Sequence, residues 1–196
     1  MSENKEQKFR VLALPEVSFP VFVDFWADLY GYKSEHFYDD NIHNPLFTSA
    51  DITQLYHWKN GSVLSQYKEK ALRTKVLLKL DIINKLKSKF CMETFQSEFE
   101  TMSTIWKIFL LHIIVPEQYP IFDQHVYRAF HYLKENCIQE IPDKDPEKEK
   151  IYFESYVPFF NNLAEKNTEF SRKRIDEAIW SFGKFLKSDY GQCVCT

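Results

Sequence analysis

Ile105-Trp-Lys-Ile-Phe-Leu-Leu-His-Ile-Ile-Val-Pro-Glu-Gln-Tyr-Pro-Ile-Phe-Asp-Gln-His-Val-Tyr-Arg-Ala-Phe130 decides the fold. From Ile105 to Val115 the only polar side chains are Lys107 and His112. A helix apolar almost all round belongs inside a globular domain. It is too short for a membrane, which needs about 20 apolar residues. Pro116 and Pro120 stop it and force an extended approach. Asp123 then sits where an N-cap belongs, its carboxylate placed to accept from a free backbone N–H. Val126, Phe130 and Leu133 give the second helix an apolar stripe.

Working outward, the chain reads as helix after helix. Pro20 suits the first turn of a helix over 19–30. Ser49 reads as the N-cap of a helix ending at Asn60-Gly61, residues that tolerate a left-handed exit. The spacing of Leu72, Val76, Leu80, Ile83 and Leu86 predicts one long helix over 64–89. A short helix is expected over 91–101. Residues 141–150, charged and carrying two prolines, read as a surface loop. Residues 151–165 read as a helix interrupted near Pro158, and 169–187 as a final amphipathic helix. Strand signals are few, so the fold class is all-α. Residues 1–9 are expected to be disordered, 10–188 to form a single domain with 10–16 extended, and 189–196 to be a flexible tail.

Composition bounds the function. At 196 residues with 44% hydrophobic and 17% aromatic side chains, one domain has ample core. Only four glycines occur, none between Gly61 and Gly183, which excludes phosphate-cradling glycine loops there. Cys91, Cys137, Cys193 and Cys195 are scattered, and Cys193-Val-Cys195 alone cannot complete a zinc site. The six histidines lack helical metal-pair spacing, so no metal and no cofactor are expected. The polar start MSENKEQKFR does not resemble a signal peptide. The expectation is a soluble cytoplasmic protein without a membrane partner.

The formal charge is -3, yet Lys59 to Lys89 holds nine basic residues against two acidic ones. Lys68, Arg73 and Lys75 are the candidates there for contacts to a DNA backbone. The plainer reading is a solvated helix face whose charge is balanced elsewhere in the fold.

Tyr119-Pro-Ile-Phe-Asp123-Gln-His125-Val-Tyr-Arg128 is more specific. It resembles the segment of helix-hairpin-helix DNA glycosylases, such as endonuclease III and 8-oxoguanine glycosylase, in which a proline-flanked strand of chain opens an Asp-x-His-x-x-Arg helix start. The resemblance implies that fold, a DNA partner, and cleavage of the N-glycosidic bond of a flipped damaged base. It implies that Asp123 stabilises the positive charge building on the sugar, which is sound electrostatics. Lys107, 16 residues upstream, then falls near the place of the Schiff-base amine of members with AP-lyase activity; in a register shifted by one, Trp106 takes the place. Trp106, His125 and Arg128 become substrate-binding candidates. The family's hairpin is glycine-rich, whereas Phe99–Trp106 has no glycine. The alternative is a non-catalytic helical module that binds nucleic acid or protein, with Asp123 only a helix cap.

Overall fold

The computed structural model describes residues 16–194. The expectations for 1–9, for 10–15 and for Cys195 lie outside the described residues. Within them the chain is all-helical, with no strand. Its helices are α1 (Phe19–Asp28), α2 (His36–Asp39), α3 (Ser49–Asn60), α4 (Gln66–Lys75), α5 (Leu80–Ser88), α6 (Met92–Glu98), α7 (Thr104–Ile114), α8 (Gln124–Glu135), α9 (Asp145–Ile151), α10 (Val157–Lys166), α11 (Arg172–Leu186) and α12 (Asp189–Val194).

α7 is the central rod. Every residue from Ile108 to Ile114 is buried, including His112. That imidazole is satisfied on both sides. Tyr119 O can only accept, so Nδ1 carries the proton and donates to it at 2.7 Å; Nε2 then accepts from the Tyr38 hydroxyl at 2.6 Å. Burial chiefly pushes its pKa down to about 3, so it is neutral at pH 7.

α11 packs against both α1 and α8. The α8 approach is close because Gly183 carries no side chain. A Cβ there would stand 1.8 Å from the His125 carbonyl oxygen.

Local signals explain most boundaries. Thr48, one residue before the expected Ser49, caps α3 and forms a reciprocal capping box with Asp51. Gly61 ends α3 with φ +70°, as Asn60-Gly61 predicts. Three expectations need correction. The 64–89 helix is broken by a 3-10 turn over Leu77–Lys79, with no proline or glycine present. Beyond the break, tertiary bonds hold α5: Asn84 accepts from Phe47 N at 2.8 Å and donates to Phe47 O at 2.9 Å. The 141–150 loop contains the start of α9, because Pro146 opens the helix rather than preventing it. The supposed tail begins with α12. Around Pro158 the expected interruption takes the form of a π-helical turn over Tyr152–Tyr156 before α10.

No helix among the described residues is long and apolar enough to cross a membrane.

Candidate functional site

Ile121 and Phe122 are buried, and Tyr152 donates its hydroxyl proton to Pro120 O at 2.9 Å. This anchors the extended approach to Asp123. Asp123 Oδ1 accepts from His125 N at 2.8 Å and Val126 N at 3.1 Å, capping α8. Its Oδ2 turns the other way and lies 3.3 Å from Lys59 Nζ. The side chains keep 21% and 8% exposure respectively. Burial works to raise the Asp123 pKa, but the Lys59 charge and the Val126 N–H outweigh it and hold the carboxyl below its ordinary value. Asp123 is therefore ionised at neutral pH.

Lys59 reaches this point because it stands one residue before the end of α3. The turn is fixed by Gly61 and by Tyr32, whose hydroxyl donates to Trp58 O at 2.6 Å. The ammonium lies 5.8 Å from the Phe109 ring centroid.

The Lys59–Asp123 pair forms the floor of a cleft of about 400 Å³. Tyr32, Trp106, His125 and Trp180 supply aromatic walls; Lys68 and Lys148 add positive charge. Behind the pair lies a recess of about 30 Å³, which shares Tyr32, Lys59, Asp123 and Trp180 with the cleft. Asp176 also lines it, and lines a neighbouring cavity with Tyr38, His112 and Arg172 as well.

The sequence candidates divide. Asp123, Trp106, His125 and Lys68 come together in the cleft. Lys107 does not line it: its Nζ is held by both Glu149 oxygens at 2.9 Å. Arg128 is fully buried and is not placed to bind substrate. Its guanidinium makes a bidentate pair with Glu140, Nε donating to Oε1 at 3.0 Å and Nη2 to Oε2 at 2.7 Å, and Nη1 donates to Gly183 O at 3.0 Å. It fastens α8 to α11. Lys68 donates to Asn60 Oδ1 at 2.6 Å, and Lys75 to Thr101 O. Both border a second groove of about 210 Å³ that shares Trp106 with the cleft. Arg73 is exposed and lines neither space. Lys59, Tyr32, Trp180 and Asp176 were not singled out by motif; Lys59 counted only as part of a basic run.

Comparison with known protein families, curated proteins and solved structures gave no match. The site is therefore read from its own chemistry. Among the described residues, no three His, Cys, Asp or Glu side chains converge as metal ligands.

Proposed function

We propose that the cleft receives a flipped-out nucleobase and that the protein is a DNA N-glycosylase of the helix-hairpin-helix type. One observation carries this reading: an ionised carboxylate, fixed at a helix start, faces an aromatic-walled cleft of about 400 Å³. That volume lies within the roughly 300–1,000 Å³ of small-molecule sites. Trp106, Trp180 and Tyr32 offer aromatic surface for stacking a base. As the bond from the sugar to the base lengthens, positive charge grows on the sugar, and Asp123 opposes it at short range. Lys68 and Lys75, along the adjoining groove, are placed to contact phosphates. The N-terminus of α7 is not, because the Asp145 carboxylate already accepts from Thr104 N at 3.2 Å.

The alternative is a non-catalytic nucleic-acid-binding module. It is favoured by the full use of Asp123 in protein contacts: Oδ1 caps α8 and Oδ2 pairs with Lys59. Base release from duplexes carrying uracil, hypoxanthine, 8-oxoguanine or an alkylated base separates the two. Asp123→Asn is expected to slow release by about 100-fold or more while DNA binding persists. Unchanged release in Asp123→Asn, or silence of the wild type across the panel, refutes the catalytic reading.

A further inference from the structure

Residues 68, 71 and 75 of α4 are spaced three and four apart, so they share one face of the helix. Leu72, one position round, turns into the core. Lys68 and Lys75 stand about two turns apart on the shared face. Ala71 lies between them, and its short side chain leaves a depression there. This is the groove of about 210 Å³ between α4 and the start of α7, lined also by Tyr67 and Trp106.

The charge of this face is not balanced locally. Lys68 and Lys75 donate to neutral oxygens, Asn60 Oδ1 and Thr101 O. Among the described residues no carboxylate pairs with Lys68, Lys70, Arg73 or Lys75. Lys79, just beyond α4, does have such a partner in Glu98. Tyr67 is 81% exposed, and among the described residues it neither stacks on another ring nor bonds through its hydroxyl. Trp106, by contrast, is held 4.9 Å from the Tyr56 ring, centroid to centroid, and offers a fixed surface. Trp106 and Lys68 line both this groove and the cleft, so the two spaces adjoin. Unpaired cations beside aromatic rings are the means by which proteins hold single-stranded nucleic acid: the cations follow the phosphates and the bases stack on the rings. At about 210 Å³, below the roughly 300–1,000 Å³ of small-molecule sites, the groove suits one base with its phosphates outside.

Resting on the reading of the cleft as a nucleobase site, though not on base release, we infer that this groove is a second nucleotide subsite. It takes the unpaired base next to the one in the cleft, stacked on Tyr67 and Trp106, with the adjoining phosphates at Lys68 and Lys75. A base inside a duplex is stacked on its neighbours, so it must first be unstacked to present a face to the groove. The protein therefore prefers DNA with at least two adjacent unpaired nucleotides to a fully paired duplex.

The test uses the full chain and one end-labelled oligodeoxynucleotide as a single strand, in a fully paired duplex, and in a duplex with two unpaired nucleotides. Affinity is read by fluorescence anisotropy over a range of salt concentrations. Wild type is expected to bind the single strand and the bubble at least about fivefold more tightly than the paired duplex. Tyr67→Ala removes a stacking surface and Ala71→Leu fills the groove; each should weaken single-strand binding about fivefold or more. Ala71→Leu changes no charge, so its salt dependence should match wild type, whereas Lys75→Gln should lower the slope of log affinity against log salt by about 0.7. None of the three side chains is buried, and a wild-type tryptophan emission spectrum controls for folding. Equal or tighter binding of the paired duplex overturns the proposal, as does wild-type single-strand affinity in Tyr67→Ala or in Ala71→Leu. An unchanged slope in Lys75→Gln overturns its phosphate contact. Preference for unpaired strands without base release keeps the subsite and removes only the catalytic reading of the cleft. No binding of any strand overturns both the subsite and the nucleobase reading.

Discussion

Gly183→Ala is the sharpest test of how the site is held. The glycine lies inside α11, where alanine is intrinsically the better helix former by roughly 1 kcal/mol. On propensity alone the substitution would stabilise. The structure dictates the opposite sign. The new Cβ would stand 1.8 Å from His125 O and 2.6 Å from His125 C, both backbone atoms that cannot rotate away. Relief requires α8 and α11 to separate by more than an ångström. That shift would strain the Arg128 bond to Gly183 O and loosen the Phe182 side of the core. Overpacking usually costs about 1–3 kcal/mol, and a clash with fixed backbone belongs at the upper end or beyond. We therefore expect a net loss of about 2 kcal/mol or more once the helix-propensity gain is subtracted. Urea unfolding followed by tryptophan fluorescence measures it, with an unchanged slope confirming that the native and denatured states remain comparable. A loss under about 1 kcal/mol would refute the close-approach argument, because the propensity term would then have nearly offset the clash.

Two further predictions follow from the charged groups. If the protein cleaves abasic sites, borohydride should trap it on the DNA through Lys59: the adduct is lost in Lys59→Ala and retained in Lys107→Ala, whose partner Glu149 holds it off the cleft; loss of the adduct in Lys107→Ala alone would reverse the assignment. Stability should fall between pH 6.5 and 8. Asp176 has its folded-state pKa raised from 3.8 to about 8, so the native state holds the extra proton across that window and stability declines as pH rises. His112, lowered from 6.5 to about 3, contributes the opposite slope, but only below pH 6.5, so the two oppose each other over the acid range. Above it the Asp176 slope is at most ~1.4 kcal/mol per pH unit, or ~2 kcal/mol across the window. Unfolding curves at pH 6.5 and 8 should show this decline and lose it in Asp176→Asn; an identical decline in the variant would assign it elsewhere.

The sequence carried its local chemistry faithfully. Asp123 as a cap, Asn60-Gly61 as an exit and the apolar character of α7 outside Lys107 and His112 each depend on neighbours within a few residues, and each is in the structure. What was hidden depends on distant partners. Lys107 looked catalytic from its spacing to Asp123, but Glu149, 42 residues later, fixes its direction. Arg128 looked like a substrate contact until Glu140 and Gly183 claimed its guanidinium. Lys59 looked like one cation in a basic run, although the cap geometry of α3 and the approach of α8 place it beside Asp123, 64 residues away. The break after α4 shows the same limit, since hydrophobic periodicity continues through it while tertiary bonds redirect the chain.

The two readings of Asp123, cap and catalytic group, separate at the level of atoms. Capping occupies Oδ1, whose two N–H partners fix the carboxyl plane at the start of α8. The cap thereby presents Oδ2 to Lys59 and the cleft in one orientation. A carboxylate on a freely rotating side chain would have to be ordered each time a substrate arrived; here folding has already ordered it, which is what electrostatic preorganisation requires. The same division makes Asp123→Asn an informative substitution. Asparagine is as good an N-cap as aspartate, so the Oδ1 bonds and the helix start can survive. What disappears is the negative charge facing Lys59. A variant that folds, binds DNA and releases no base would therefore locate the effect in the charge of the side chain, separately from its role in starting α8.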